Sequence, residues 1–450
     1  MKRLILILIV LLSASGVHAD DYYWVGGAGS WSDLSHWASS SGGPGNKSIV
    51  PGLNDDVYFD GNSGLLNNTI VTMPTTGHAY VRNISWAGVT TNAIFRNIAV
   101  TYQLNVYGNM ELSGAMRYDI RNILFAGTGN ATLKMNGAGK YVVANAVNAV
   151  NVNKPGGSLT LLDGAPEALN VNIVLTTGHV NLSGNTHALN LFNGSSSTST
   201  RSADISNATL IIGNSRDYRG ANGTLNATGS SIKAAVFQSD RYTFPKVEIT
   251  GTSDLMIITT STFGELTFSN PATPTGSVRI GGGNTVDRLE FMGGGRIATG
   301  GSVINQLILA PGKGYIFHGT NTINTRMQLN TPDCEGLGQL TGADANAKLA
   351  FATGAVVDLR NVYVKTLTAT GAVTPITVVG ADGGSNVGWN FLPRPSGTTL
   401  YWVGGAGDWN DKSHWSSASG GTGGACVPLP GMMWCSTPTV DLPQAITRYR

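Results

Sequence analysis

The feature that most constrains this fold is a segment that occurs twice, once near each end of the chain. Tyr23–Gly43 reads YWVGGAGSWSDLSHWASSSGG and Tyr401–Gly421 reads YWVGGAGDWNDKSHWSSASGG, with 16 of 21 positions identical, including every Trp, His and Gly. We call this segment the Trp/Gly repeat. A pair of this kind indicates tandem duplication. It predicts one module of about 380 residues, followed within the 450-residue chain by the opening of a second.

Between the two Trp/Gly repeats, the sequence consists of short alternating segments broken by Gly, Asn, Asp, Ser and Pro. Alternation predicts strands that bury one face. Three apolar-Asn-apolar triplets, at Val171–Ile173, Val180–Leu182 and Leu189–Leu191, start nine residues apart. Short strands, frequent turns and amides that can stack between coils predict an all-β fold. We expect a right-handed parallel β-helix, or β-solenoid, with coils of about 20–25 residues and a small Trp/Gly-rich N-terminal cap.

The alternative architecture is a series of tandem β-sandwiches. About 330 residues separate the two Trp/Gly repeats, and a sandwich architecture would have to divide them into two or three domains. The first Pro-rich linker signal comes only at Leu392–Gly397. A single solenoid buries its core between successive coils and avoids that division.

The N-terminus has the pattern of an export signal. Lys2 and Arg3 precede the apolar run Leu4–Leu12, and small residues lead up to Ala19. We therefore expect cleavage after Ala19 and a mature chain that begins at Asp20. The apolar run is shorter than the roughly 20 residues that span a bilayer, so we expect no membrane insertion once the signal is removed.

Charge argues against two classes of partner. Removal of the signal takes two of the 28 basic residues, which leaves 26 basic and 26 acidic residues. A neutral chain without a basic block predicts no binding to nucleic acid or to anionic membranes. The 12% charged and 41% hydrophobic residues favour a folded chain with a neutral polar surface over disorder. The chain has three cysteines, Cys334, Cys426 and Cys435, and their spacing fits no metal site. Because the number is odd, at least one thiol remains unpaired.

These signals divide the chain into six segments. We expect a signal peptide at 1–19, the Trp/Gly-rich cap at 20–60, the solenoid body at 61–392, a linker at 393–399, an incomplete second Trp/Gly-rich cap at 400–431 and a frameshifted, disordered tail at 432–450.

The frameshift rests on a codon argument. Met and Trp have single codons, so the bases for Met432–Trp434 are fixed. Read from the last base of the Gly431 codon, the shifted frame forces Asp-Val-Val at its second to fourth positions. It permits the full reading Asp-Asp-Val-Val-Phe-Asp-Ala-Asn-Ser, which resembles Asp55–Ser63 (DDVYFDGNS) of the first module.

The Trp/Gly repeat offers the first candidate functional residues. Trp24, Trp31 and Trp37 stand seven and six residues apart among Gly and Ser. They could form a sugar-stacking platform, or they could form the core of a cap that covers the end of the solenoid. Covering that end prevents edge pairing, and Trp buries a large apolar area. We favour the cap core and keep glycan stacking as the alternative.

Polar residues offer candidates for a metal site. Asp33 and His36 recur as Asp411 and His414, but one Asp and one His are too few ligands for a closed zinc site. We expect them to hold the loop of the Trp/Gly repeat by hydrogen bonds. Calcium takes oxygen ligands from acidic, Gly-rich turns, and Asx turns explain the same residues without an ion. Five residues are therefore weak calcium candidates: Asp55, Asp56, Asp60, Asp382 and Asn386.

No catalytic motif is recognised in the sequence, and we expect no cofactor unless calcium occupies those turns. Solenoid glycosidases and lyases need paired carboxylates or an acidic groove with a catalytic base. In this sequence the acids and bases are sparse and dispersed, and the other histidines of the mature chain are isolated in sequence: His78, His179, His187 and His318. These observations favour a non-catalytic protein.

The Trp/Gly repeat, the segment Val50–Asp60 (VPGLNDDVYFD) and the module end Gly380–Phe391 (GADGGSNVGWNF) resemble a repeated unit of very large surface proteins. These are adhesin-like proteins of gliding-type bacteria that export through type IX secretion. The resemblance covers the Trp/Gly repeat, the module end and, loosely, the Gly/Asn/Thr-rich body. It implies an adhesin or a surface filament and assigns no catalytic residue.

We therefore expect an exported cell-surface adhesin-like or structural protein, with a surface glycan or another cell-surface ligand as its partner. One alternative is a carbohydrate-active β-helix protein, either a glycan-binding module or a polysaccharide lyase. The other is a non-functional truncated fragment. The expected location is extracellular or on the outer cell surface. It would be periplasmic if the lack of a recognisable C-terminal sorting domain prevents display.

Overall fold

The computed structural model describes residues 19–97, 101–140, 148–166, 171–193, 199–219, 223–252, 258–332, 336–392, 399–428 and 434–436. The predicted signal peptide, except Ala19, and most of the predicted linker lie outside these residues. The described residues contain 39 strands, two 3-10 turns at Leu34–His36 and Lys412–His414, and no α-helix. They include no helix long and apolar enough to cross a membrane.

The chain divides into two compact units, one of Met1–Leu182 with Ser196–Ala203 and one of Ser183–Ser195 with Asp204–Arg450. The strands that begin in the first unit are β1 Asp21–Trp24, β2 Gly29–Ser30, β3 Trp37–Ala38, β4 Asp56–Tyr58, β5 Ile70–Thr72, β6 Ala79–Val81, β7 Asn83–Ser85, β8 Ile94–Arg96, β9 Leu104–Val106, β10 Met110–Glu111, β11 Arg117–Asp119, β12 Asn122–Ala126, β13 Ala131–Lys134, β14 Gly139–Lys140, β15 Asn148–Leu161, β16 Val171–Asn181 and β18 Arg201–Asp204.

The strands of the second unit are β17 Thr186–Asn193, β19 Thr209–Arg219, β20 Thr224–Asn226, β21 Ser231–Asp240, β22 Thr243–Ile249, β23 Ile258–Thr259, β24 Thr262–Phe268, β25 Arg279–Ile280, β26 Thr285–Phe291, β27 Gly295–Ile297, β28 Val303–Leu309, β29 Gly314–Phe317, β30 Thr320–Asn330, β31 Gly338–Gly342, β32 Lys348–Phe351, β33 Val356–Lys365, β34 Thr368–Gly371, β35 Ile376–Asp382, β36 Trp389–Leu392, β37 Leu400–Trp402, β38 Trp415–Ser416 and β39 Trp434–Ser436.

The first unit is built from three parallel ladders. Ladder A contains β1, β4, β7, β10 and β13, ladder B contains β2, β5, β8, β11 and β14, and ladder C contains β6, β9 and β12. From β4 to β12 the chain visits A, B and C in a fixed order, so each circuit adds one strand to every ladder. The long strands β15 and β16 bend between ladder C and ladder A. This arrangement is a parallel β-solenoid.

Alternate side chains place one column of ladder A inside the solenoid. Paired residues at this column are all at most 2% exposed: Val57, Ile84, Met110, Leu133 and Leu161. Their polar neighbours in sequence point outward, because successive residues of a strand face opposite sides of the sheet. The core of each circuit therefore packs on the core of the next.

The second unit follows the same rule. Its longest regular ladder pairs β22, β24, β26, β28 and β30, and the equivalent core residues are 0% exposed: Val247, Leu266, Leu289, Leu307 and Met327. Successive members of this column follow one another in sequence by roughly 20 residues, which is the length of one coil. Phe268 and Phe291 stack in a neighbouring column, with ring centroids 4.6 Å apart. Two of these steps, of 19 and 18 residues, are shorter than the predicted 20–25 residues, and three steps of the first unit's column, of 27, 26 and 28 residues, are longer.

Buried amides link successive coils at the turns of the second unit. Asn284 donates through Nδ2 to Gly281 O at 2.9 Å, and its Oδ1 accepts from Ser261 N at 3.0 Å. Asn361 donates to Thr331 O at 2.7 Å. Both asparagines are at most 1% exposed, and a buried amide is stable only when it is hydrogen-bonded.

The predicted all-β solenoid is confirmed. The described strand pairs are parallel except β1–β3 and β37–β38, whereas tandem β-sandwiches would pair antiparallel strands. The nine-residue spacing has a different origin from the coil length. Ile173 pairs with Val150 and Val180 pairs with Leu159, so both triplets start on one long strand, β16, which pairs along its length with β15. The spacing therefore separates neighbouring faces of one coil.

The first Trp/Gly repeat is continuous with the body. Strand β1 pairs in parallel with β4, and β4 pairs with β7, so the predicted boundary at residue 60 falls within one ladder. The cap consists of the antiparallel strand β3, which pairs with the other edge of β1. One short strand thus shields an edge that would otherwise accept another chain.

The second Trp/Gly repeat has the same internal pairing. Strand β37 pairs antiparallel with β38 and parallel with β39. Trp434 stands opposite Leu400, as Val57 stands opposite Tyr22 in the first copy. Within the segment 432–450, expected to be disordered, Trp434–Ser436 form β39, which pairs with the other edge of β37. The rest of 432–450 lies outside the described residues.

Candidate functional site

The tryptophans of the first Trp/Gly repeat form a closed aromatic cluster. Trp24, Trp31 and Trp37 are 0%, 1% and 0% exposed. Trp37 meets Trp24 and Trp31 edge to face, with centroids 5.0 and 4.8 Å apart. Trp37 Nε1 donates to Trp31 O at 2.8 Å. Rings buried to this extent have no free face for a sugar, so these three side chains lie in the core.

The body supplies the other half of this cluster. Phe59 stacks on Trp86 at 3.7 Å and on Trp24 at 5.5 Å, and Phe95 lies 6.2 Å from Trp31. Sequence reasoning missed Phe59, Trp86 and Phe95. The available signal was their position within or directly after a short apolar strand.

His36 holds the loop of the first Trp/Gly repeat. Its ring stacks on Trp24 at 4.5 Å with an interplanar angle of 3°, and Nδ1 lies 2.6 Å from Val25 O. The distance from His36 Nε2 to Asp33 Oδ2 is 3.9 Å. A Cβ at Gly29 would lie 2.1 Å from His36 Nε2, so the ring fits only beside a glycine. His414 repeats the arrangement, with Nδ1 3.0 Å from the carbonyl oxygen of the equivalent valine. The loop-holding role predicted for these histidines is confirmed.

Asp56, a calcium candidate, is occupied by an ion pair. Arg82 donates through Nε to Oδ1 at 2.7 Å and through Nη2 to Oδ2 at 2.6 Å, and Asn83 Nδ2 donates to Oδ1 at 2.8 Å. Burial opposes ionisation of this carboxyl, but these hydrogen bonds outweigh it and lower its pKa. Bidentate pairing of this kind is geometrically specific, and it fixes β4 to β7.

The other two aspartates that follow the first Trp/Gly repeat accept hydrogen bonds from backbone amides. Asp55 accepts from Asp20 N at 3.0 Å and from Gly52 N at 2.8 Å. Asp60 accepts from Asn62 N at 2.9 Å in an Asx turn. The two carboxylates are close in sequence, but each accepts hydrogen bonds from different backbone amides.

The predicted second calcium turn is also closed by hydrogen bonds. Asp382 Oδ1 accepts from Gly384 N at 2.8 Å and from Asn386 Nδ2 at 2.6 Å. The Asn386 amide presents a donor to Asp382, whereas a shared cation would require oxygens from both side chains. Among the described residues, no group of three or more His, Cys, Asp or Glu side chains converges on one point.

The second unit gathers charges that look dispersed in the sequence. Cross-strand register aligns Lys246, Glu265 and Arg288 in one outward column. Four ion pairs with N–O distances of 3.0–3.4 Å lie on this face: Lys233–Glu248, Lys246–Glu265, Arg288–Glu290 and Arg326–Asp358. Exposed pairs of this kind contribute little to stability. They do provide a flat surface of alternating sign.

Ladder A of the first unit presents two outward columns. One column is a chain of amides, in which Asn83 Oδ1 accepts from Asn109 N at 2.7 Å and Asn109 Oδ1 accepts from Thr132 N at 2.9 Å. The other column, which we call the tyrosine column, contains Tyr23, Tyr58, Ser85, Glu111 and Lys134. Each of the last four follows a buried apolar residue, and this apolar–polar pair is a sequence signal that each faces outward, although it does not show that they are neighbours.

Cys426 is disulfide-bonded and packs beside the cluster of Leu400, Trp402 and Trp415 in the second Trp/Gly repeat. This copy keeps the ring geometry of the first, with Trp409 and Trp415 4.7 Å apart. Trp409 is 37% exposed, however, against 1% for its counterpart Trp31.

No protein-family model, curated protein or solved structure matches this chain.

Proposed function

We propose that this chain is an exported, non-catalytic, adhesin-like or structural protein of the cell surface. The observation that carries the proposal is the pair of outward columns on ladder A, where each coil adds another polar side chain to a continuous face. A regular face of amides, hydroxyls and paired charges suits repeated weak contacts with an extended ligand. The resemblance of the Trp/Gly repeat to type IX surface proteins and the expected right-handed coil belong to the same proposal.

The carboxylates of the outward faces support a binding role over an acid–base role. Hydrogen bonds from Lys134 and Asn136 lower the pKa of Glu111. Burial opposes ionisation of Glu248, but hydrogen bonds from Lys233 and Ser269 outweigh it and lower its pKa. A general acid at neutral pH needs a raised pKa, so these groups are better suited to hydrogen-bond a ligand than to protonate one.

The geometry around Asp20 supports export with cleavage after Ala19. Asp20 N lies 3.0 Å from Asp55 Oδ1, and Asp20 Oδ2 lies 3.0 Å from Lys47 Nζ. Cleavage would convert this backbone amide into an α-ammonium facing the Asp55 carboxylate. Charge-assisted hydrogen bonds are about twice as strong as neutral ones. The first strand would then be fastened at its new terminus.

The test is adhesion of beads coated with the mature chain, residues 20–450, to surfaces coated with polysaccharide or with bacterial outer-membrane material. Retention under flow above that of albumin-coated beads is expected. Retention equal to the albumin control on every surface would refute the proposal. Glycan binding, rather than general adhesion, is favoured by one observation, the half-buried, outward-facing tyrosine pair of ladder A.

A further inference from the structure

We propose that a neutral pyranose unit of a polysaccharide binds beside Tyr58, in the gap above Ser85 on the tyrosine column. This inference deepens the proposed surface role and rests on it. It also moves the sugar platform from the buried tryptophans of the Trp/Gly repeat to the outward side of the same coil.

The tyrosine column begins as an aromatic stack and then stops. Tyr23 and Tyr58 stack with centroids 5.0 Å apart and an interplanar angle of 21°. Both side chains are half-buried on the outward face. The next position of the column is Ser85, which is paired with Tyr58 in register. A serine side chain is too short to cover the second face of the Tyr58 ring.

The gap matches the thickness of one sugar ring. Adjacent strands are about 4.8 Å apart, so Tyr58 and Glu111, two strands apart, are separated by about 9.6 Å along the ladder. Van der Waals surfaces occupy about 1.7 Å on each side, taking a carbon contact of about 3.5 Å. The remaining space, about 6 Å, accepts one pyranose ring stacked on Tyr58 but leaves no room for an aromatic ring on the other side of the sugar.

Polar groups border the gap on two sides. Glu111 accepts from Lys134 Nζ at 3.0 Å and from Asn136 Nδ2 at 3.1 Å, which fixes its carboxylate. The Glu111 and Lys134 side chains remain 35% and 42% exposed, so both can also bind hydroxyl groups. Asn83 lies in the parallel amide column at the same strand as Ser85.

Charge selects a neutral sugar over an acidic one. Burial raises the pKa of the Tyr23 phenol, and the nearby carboxylates of Asp21 and Asp60 raise it further. Asp21 and Asp56 act in the same direction on Tyr58, whereas Arg82, the ion-pair partner of Asp56, acts in the opposite direction. Because Arg82 neutralises Asp56, the carboxylates of Asp21 and Asp60 are the ones that would repel a uronate or a sulfated sugar, whereas hydroxyl groups can donate to carboxylates.

The second Trp/Gly repeat provides a matched control. Tyr401 occupies the position of Tyr23, but the strand beside it places Cys435 in register with Tyr401, where the first copy places Tyr58. The stack of two tyrosines is therefore specific to the first copy, and Tyr401→Ala should leave binding unchanged.

The experiment is isothermal titration of the mature chain with cellohexaose and mannohexaose, and with hexagalacturonate as the anionic control. The variants are Tyr58→Ala, Tyr58→Phe, Ser85→Tyr and Tyr401→Ala. We expect at least one neutral hexasaccharide to bind more tightly than hexagalacturonate. Tyr58→Ala and Ser85→Tyr should each weaken the affinity for that hexasaccharide about tenfold or more. The first removes the ring on which the sugar stacks, and the second fills the gap. Tyr58→Phe and Tyr401→Ala should bind like the parent.

Three results would overturn the site: no binding of either neutral hexasaccharide, preference for hexagalacturonate, or parental affinity in both Tyr58→Ala and Ser85→Tyr. If circular dichroism shows that Tyr58→Ala does not fold, the affinities of Ser85→Tyr and Tyr58→Phe are compared instead. Equal affinities in these two variants would then overturn the site. Bead retention measured on the same preparations separates the two proposals. Persistent retention with any of these results rejects only the sugar site, whereas loss of retention in the parent rejects the surface role.

Discussion

The two Trp/Gly repeats allow one perturbation to be made twice in nearly identical surroundings. Trp31 and Trp409 both meet the following tryptophan edge to face, at 4.8 Å and 72° and at 4.7 Å and 74°. Trp31 is 1% exposed and Trp409 is 37% exposed. We expect Trp31→Ala to destabilise its copy of the repeat more than Trp409→Ala does, because the Phe95 ring from the body covers Trp31.

The magnitude follows from burial. Replacing a fully buried tryptophan by alanine costs about 3–5 kcal/mol. For Trp409, about a third of that burial is already absent, so the same substitution should cost about 2–3 kcal/mol if the cost scales with buried area. The expected difference is about 1–2 kcal/mol, or roughly a tenfold change in a local opening equilibrium.

Hydrogen–deuterium exchange measures such local openings, which global unfolding of a chain with more than one unit would not resolve. Peptides that cover Asp21–Trp24 and Asp56–Tyr58 should lose about a hundredfold or more of their protection in Trp31→Ala. Peptides that cover Leu400–Trp402 should lose less in Trp409→Ala. Equal losses in the two copies, or a loss below about tenfold in Trp31→Ala, would refute the claim that the body completes the first cluster.

Three further outcomes are expected. Gly29→Ala should reduce protection of the first Trp/Gly repeat because its Cβ would lie 2.1 Å from His36 Nε2, whereas Gly61→Ala, with no atom within 4 Å of its Cβ, should not. Hydrogen exchange on the two variants compares them directly, and equal effects would contradict the packing argument. Because the folded-state pKa of Asp56 is lowered, the stabilising effect of its pair with Arg82 is fully present above the unfolded value of about 3.9 and is lost as pH falls through the lower folded value. Asp56→Asn should therefore weaken the N-terminal cap at neutral pH and flatten the acid dependence of its thermal midpoint, and a parallel shift at every pH would argue against ionic coupling. Finally, incubation with neutral or acidic polysaccharides should release no reducing ends or unsaturated products; release that one Asp or Glu substitution abolishes would establish an enzyme.

The fold could be predicted from sequence because burial alternates locally. Val57, Ile84, Met110 and Leu133 are each flanked by a polar residue, and the β-strand period of two follows directly. The burial of Trp24, Trp31 and Trp37 could be anticipated from their size. Their partners Trp86 and Phe95 could not, because contact between them depends on how many residues one coil contains.

The outward site was hidden for the same reason. Tyr58, Ser85, Glu111 and Lys134 are neighbours along one ladder, yet the number of residues between them in sequence differs at every step. No fixed period aligns them, so the ion pairs and the aromatic stack become visible only when the pairing register is known. The calcium candidates had the opposite problem, since Asp55 and Asp60 are close in sequence but each turns to its own backbone donors.

The unequal coils of the second unit have a consequence for how such a chain can change. Val247, Leu266, Leu289 and Leu307 remain in register although the segments between them differ in length, so the loops absorb the difference and the paired strands do not. Loss or gain of one entire circuit, for example the segment from Leu266 to Arg288, would leave edges that still match. A gene of this kind can therefore shorten or lengthen its product in steps of one coil, and the number of coils becomes a heritable property of the chain.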